Sequence, residues 1–205
     1  PAILVLGAAV SHFGLFAEPD DAALRTQVDT NLLAPMRLVH ALLPLLARAQ
    51  DPAAVAIGST FGSLAYPGFA AYSASKFGLR GFIEALGREH ADGPVRFQYL
   101  SPRATRTAFN PAPVDALNIT LRTAVDEPEA VAAQLLAAIE RGDRRRQLGW
   151  PEKFFARLNG VFPALVDRAL AAQLPVVRRF AQQSTARAGA RRAVVVPTTP
   201  SPSSD

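Results

Sequence analysis

Tyr72 and Lys76 stand four positions apart in "AAYSASKFGL", residues 70–79, of a chain that has three tyrosines and two lysines. On a helix, residues at i and i+4 share a face, so the phenol and the amine would be neighbours. A free phenol has a pKa of about 10 and is a poor base at neutral pH. An ammonium one turn away favours the phenolate and is expected to lower that value. A tyrosine so placed can give a proton to a carbonyl oxygen as hydride reaches the carbon, and take it back in reverse. A hydroxyl fixing the reacting oxygen would complete such a site, and Ser59, at the end of an apolar run, is the candidate.

The elements that must position these groups are legible as an alternation. "AILVLGAA" (2–9) is an apolar run expected to form a strand buried on both faces. A helical pattern follows over 20–48, with Asp20 or Asp21 as N-cap and Pro35 expected to bend or divide it near Asn31 to Leu33. "AAVAIGS" (53–59) reads as a second buried strand, residues 70–90 as a helix, and "VRFQYL" (95–100) as a third strand. "SPRATRTAF" reads as a loop, Asp126 as the cap of a helix ended by Gly142, and "RRRQLG" as a short strand. Residues 151–181 read as amphipathic helical pieces divided by Pro163 and Pro175; from Gln182 the composition predicts an unstructured tail. Buried strands alternating with helices predict an α/β fold with a parallel sheet and helices on both faces. Ligands of such sheets bind beyond the strands' carboxyl ends, which directs attention to Gly7–Phe16, Ser59–Pro67 and Ser101–Phe109.

Composition narrows the function. Hydrophobic residues make up 49% and charged residues 19%, as in a globular protein. The net charge of +5 lies partly in Arg187, Arg191 and Arg192, and no nucleic-acid-binding pattern accompanies it, so no nucleic-acid partner is expected. With no cysteine and three scattered histidines, neither a disulfide framework nor a metal site is expected. The opening apolar run is too short to span a bilayer and lacks a basic leader, so the cytoplasm is the expected compartment.

The run "AIGSTFGSLAYPGFAAYSASKFGLRGFIEAL" resembles the core of the short-chain dehydrogenase/reductase family, in which a serine precedes a Y-x-x-x-K tyrosine by about a dozen positions. Ser59 matches that serine, Tyr72 the acid/base and Lys76 the lysine, with Ser63 a second serine further into the loop. "VDTNLLAPMRLVHALLPLL" resembles the family helix whose asparagine, here Asn31, breaks the helical hydrogen bonding and holds a water of the proton relay. "YLSPRATRTAF" resembles the P-G-x-x-x-T segment, which implies that Pro102, Thr105 and Thr107 meet the nicotinamide.

The resemblance covers residues 2–150 and implies a Rossmann-like doubly wound domain (1–150), a helical extension (151–181) and the tail (182–205). It also implies an NAD- or NADP-dependent oxidoreductase interconverting a carbonyl and an alcohol, with Lys76 holding ribose hydroxyls as well. NAD versus NADP stays open. Helices 20–48 and 70–90 would join copies of the chain into a homo-oligomer.

The sequence departs from the family pattern in three places. Leu6-Gly7-Ala8-Ala9 stands for N-N-A-G, Arg103 for the usual glycine, and the Gly-rich turn that cradles the cofactor pyrophosphate is absent. The missing turn predicts the C-terminal half of the fold with impaired cofactor binding, whereas a side chain at Arg103 is expected to be tolerated where its backbone dihedrals are ordinary. Alternatively, the departures mark a degenerate, non-catalytic binding protein. His12, Phe13, Tyr66 and Phe109 are candidates either for the substrate pocket or for the core. The apolar face of 151–181, flanked by Lys153, Arg157 and Arg168, is expected to cover the cleft or a subunit contact, with a lipid surface or an apolar substrate as the alternative.

Overall fold

The computed structural model describes the backbone of residues 2–194 and side chains as far as Thr185. Four strands, β1 (Ile3–Leu6), β2 (Ala53–Ile57), β3 (Arg96–Ser101) and β4 (Arg145–Gln147), form one sheet in the order β1-β2-β3-β4. Every pair is parallel, with Val5 beside Val55 and Val55 beside Gln98. Parallel neighbours need crossovers. Helices α1 (Asp21–Val28) and α2 (Ala34–Leu46) join β1 to β2, α3 (Ala70–Glu89) joins β2 to β3, and α4 (Ala112–Thr120) and α5 (Pro128–Glu140) join β3 to β4. Two further helices, α6 (Glu152–Val161) and α7 (Pro163–Val194), follow.

The period of two divides the core into two layers. Ala54, Ala56, Phe97 and Tyr99 face Val39, Leu46, Leu79 and Ile83 of α2 and α3. Ala53, Val55 and Leu100 face Ala138 of α5 on the opposite side. The alanines of β2 let helices approach both faces closely. Gln98 is fully buried between these apolar positions, and its amide donates to the carbonyls of Ala138 (3.1 Å) and Asp143 (3.1 Å), tying down the end of α5. The fold class is the doubly wound α/β arrangement expected.

Several local expectations are corrected. β1 is buried on one face only, because Ile3 and Val5, 45% and 52% exposed, lie at the sheet edge on the side of α5, which covers Ala53 and Val55 but not them. Asp126 does not cap α5; the N-cap position is Glu127, without a side-chain bond, and the Asp126 carboxylate is held by Arg103 instead. α4 has no counterpart among the expected elements, because Pro111 and Pro113 obscure its period. Both sit at the helix start, where a missing N–H costs nothing. Pro163 does separate α6 from α7, but Pro175 lies within α7, which continues past Gln182 to Val194. Packing outweighs local propensity there: Val177, Phe180 and Ala181 are buried with Phe13, Phe69, Val114 and Leu117. The rest of the expected unstructured tail, 195–205, lies outside the described residues.

Asp20 caps α1, accepting from the Ala23 N–H at 2.8 Å. Between α1 and α2, Asp29–Leu33 form a π turn, and Pro35 lies in the first turn of α2. Deleting the buried side chain of Leu79, 1% exposed, by Leu79→Ala should lower stability by about 3 kcal/mol. Ile119→Ala, at a position 78% exposed, should stay within about 0.5 kcal/mol. Urea unfolding of the two variants checks the contrast.

Candidate active site

Tyr72 occupies the first turn of α3, is 7% exposed, and has its ring edge-on to Phe61 and Phe69 (6.3 and 6.4 Å between centroids) and tilted against Phe109 (6.0 Å). The Ser59 hydroxyl contacts its phenol. Burial raises the phenol's pKa above 10, and the Ser59 hydrogen bond opposes that rise. The direction differs from the lowering expected of a nearby ammonium. Lys76, 2% exposed, holds its nitrogen 5.7 Å from the Tyr72 ring centroid and donates to the Ile57 carbonyl at 3.0 Å. Burial brings the Lys76 pKa down to about 8. Desolvation therefore dominates both groups: the phenol keeps its proton, and the amine is close to losing one.

Ser59 follows β2 in extended conformation and accepts from the Phe61 N–H at 3.1 Å, starting the single 3-10 turn Thr60–Gly62. Ser63 is engaged elsewhere, accepting from Arg80 Nη1 at 2.8 Å, and does not line the cleft that Ser59 borders. This turn lies so close to α3 that a Cβ on Gly62 would overlap the Tyr99 hydroxyl and come within 3.0 Å of the Lys76 carbonyl oxygen. Tyr99 reaches the same carbonyl, donating at 3.2 Å.

Asn31 lies in the π turn, fully buried. Its Oδ1 accepts from the Val10 N–H at 2.8 Å, and its Nδ2 donates to the Val10 carbonyl (2.8 Å) and to Ser75 Oγ (3.0 Å). Ser75 in turn donates to the Tyr72 carbonyl at 2.8 Å. One side chain thus joins the loop after β1 to the helix that carries Tyr72 and Lys76.

These groups open on a cleft of about 700 Å³ at the carboxyl edge of the sheet, lined by Ser59, Tyr72, Lys76, Pro102, Thr105 and Thr107. Gly7 and Ala9, from the segment that replaces N-N-A-G, lie at the same end. Arg103 has ordinary backbone geometry and uses its side chain as a clamp: Nε and Nη2 reach the Asp126 carboxylate at 2.8 and 2.6 Å, and Nη1 the Trp150 carbonyl at 3.1 Å. The paired guanidinium holds the Asp126 carboxyl below its usual range. Tyr66 and Phe109 line the cleft, whereas Phe13 belongs to the core and His12 is not among the lining residues.

Sequence reasoning missed Ser75, Tyr99, Phe61 and Gln173. Ser75 carried a signal, since a serine inside a helix needs a partner. Gln173 carried none, because only the packing of α7 brings it to the cleft.

The sequence model of the short chain dehydrogenases matches residues 2–116, more than half of the chain and all four candidate catalytic residues. The chain belongs to the short-chain dehydrogenase family. Among its relatives, the Bacillus subtilis (strain 168) protein named Uncharacterized oxidoreductase YxnA is 29% identical over 172 residues, 81% of this chain and 48% of that protein. A short-chain dehydrogenase from Streptomyces avermitilis superposes with a TM-score of 0.66 at 28% identity, over 86% of this chain and 70% of its own. One from Burkholderia cenocepacia, solved in complex with NADP, shares the fold at 22% identity and a TM-score of 0.69, over 82% and 68% of the two chains. The chain spans about half the length of the curated relatives it matches. Among the described residues, no helix is long and apolar enough to cross a membrane.

The buried groups predict how stability changes with pH. Lys76 titrates near 8 in the folded chain and near 10.5 when exposed, so the unfolded chain binds more protons between those values. Stability should therefore rise from pH about 8 towards 10. Above pH 10 it should fall, because Tyr66 and Tyr99 keep their protons to about 12 while unfolded phenols release theirs near 10. Urea midpoints at pH 8, 9 and 10 should show the rise, and Lys76→Met should flatten it; an equal rise in that variant would overturn the assignment.

Proposed function

We propose that the dehydrogenase is an NAD(P)-dependent oxidoreductase interconverting a carbonyl and an alcohol, with Tyr72 as acid and base. The observation that carries this reading is the buried Tyr72 phenol, kept protonated, touched by Ser59 and opening on the cleft. A substrate carbonyl oxygen there would accept hydrogen bonds from Ser59 and Tyr72. As the carbonyl carbon receives hydride, Tyr72 Oη gives its proton to the oxygen; oxidation of the alcohol returns it. Lys76 lies beside the phenolate that remains and stabilises it as ammonium, a role that weakens above pH about 8.

Asn31 acts here as a positioning residue. Its amide is engaged by Val10 and Ser75, so its side chain has no N–H left for a water. Any relay water would bind main-chain carbonyls of the π turn.

The end of the cleft at Gly7, Ala9, Pro102 and Thr107 suits a nicotinamide riboside. Small residues leave room, the exposed Thr107 hydroxyl has no protein partner among the described residues, and Lys76 has N–H groups beyond the one directed at Ile57. When bound, the nicotinamide supplies or accepts the hydride. The NADP-bound neighbour from Burkholderia cenocepacia supports this assignment through its fold. The exposed Leu38, Leu45 and Phe77 of α2 and α3 support self-association through those helices.

Ketone-dependent oxidation of NADH and of NADPH, at several nucleotide concentrations, tests the reading. Tyr72→Phe should lower turnover by about a thousandfold and Ser59→Ala by about a hundredfold, with nucleotide binding little changed. Unaltered turnover in Tyr72→Phe would refute the mechanism. Absence of both turnover and nucleotide binding in the unaltered chain would favour the non-catalytic alternative.

A further inference from the structure

The cleft extends from Tyr72 away from the proposed nicotinamide end, between α4, α6 and α7. Its walls there are apolar, formed by Phe61, Phe109, Leu117, Phe155, Val166 and Leu170. Phe61 stacks on Tyr66 (5.2 Å, 9°) and meets Tyr72 edge-on, so Tyr66 stands two ring contacts from the proposed proton donor. The Tyr66 hydroxyl donates to Gln173 Oε1 at 2.6 Å. Burial pushes the Tyr66 phenol up to about 12, so it stays a donor. The hydrogen bond fixes which way the Gln173 amide points, and Gln173 itself lines the cleft.

The consequence is a polar group of one kind. Oε1 is engaged, and Nε2 has no hydrogen-bond partner among the described residues. A half-buried amide N–H2 wants an acceptor, and the apolar walls supply none. Asn118 and Arg122 also line the cleft, near the end of α4, but no hydrogen bond orients their side chains. Gln173, unlike Asn118 and Arg122, has its polarity set by a neighbour.

We infer that the dehydrogenase takes a bulky, mainly apolar carbonyl compound with a hydrogen-bond acceptor remote from the reacting carbonyl, and that Gln173 recognises that acceptor. The inference rests on the carbonyl–alcohol reading for which end of the compound faces Tyr72. Recognition by Gln173 can be measured as binding, without turnover. The apolar walls favour rings or long alkyl groups, and the fixed amide rejects a donor such as an ammonium in the same place.

Isothermal titration of the 205-residue chain with 4-acetylbiphenyl and its 4′-methoxy derivative separates the two contributions. The methoxy compound should bind about three- to tenfold more tightly, as one added hydrogen bond allows. Gln173→Leu should abolish that preference while still binding the unsubstituted ketone. Tyr66→Phe, which frees the amide to turn, should reduce it; thermal unfolding establishes that both variants are folded. Equal binding of the two ketones by the unaltered chain, binding of neither, or an undiminished preference in Gln173→Leu would each overturn the inference. Tyr72→Phe should leave the preference intact, so loss of turnover in that variant bears on the catalytic reading alone.

Discussion

The hydrogen bond from the buried Lys76 ammonium to the Ile57 carbonyl is the constraint on which the site depends. Removing a charged amine from water is costly unless it is hydrogen-bonded, and here the partner is the last carbonyl of β2. That bond sets the distance between the strand that delivers Ser59 and the helix that carries Tyr72. Burial drives the amine's shift towards neutrality, because one carbonyl replaces only part of a hydration shell.

Around that bond the remaining contacts lock α3 in place. Asn31 ties the loop after β1 to Ser75, one turn along from Tyr72. The hydroxyl of Tyr99 supports the Lys76 carbonyl from below, in the space that Gly62 leaves empty. On the far side of the cleft, Arg103 and Asp126 bind the loop after β3 to the segment before α5, and Trp150 and Glu152 extend the clamp towards α6. Positioning of the proposed reacting groups is thus shared among the sheet, the π turn and the C-terminal helices, although the groups themselves come from two adjacent elements.

How far this was legible from sequence differs by residue. Tyr72 and Lys76 stand out in the sequence because a helix sets their spacing, and Ser59 because it ends an apolar run and matches the family's serine. The π turn was foreseeable from Pro35, whose missing N–H weakens the helix one turn before it. The sign of the Tyr72 shift was not foreseeable, since it follows from how deeply Phe61, Phe69 and Phe109 enclose the ring. The helix past Gln182 was also hidden, because its polar composition says nothing of the preceding turns buried against α4. Arg103 reads only as a tolerable departure from the family's glycine, whereas in three dimensions it is the centre of an ion-pair clamp.

In the proposed mechanism Tyr72 is a proton donor held in its protonated form by burial. Nuclear magnetic resonance of the chain carrying tyrosine isotopically labelled at Cζ reads that state directly, with Tyr72 assigned by comparison with Tyr72→Phe. The Tyr72 signal should not titrate below pH 10. A phenolate signal from Tyr72 with a midpoint near pH 7 would contradict that mechanism.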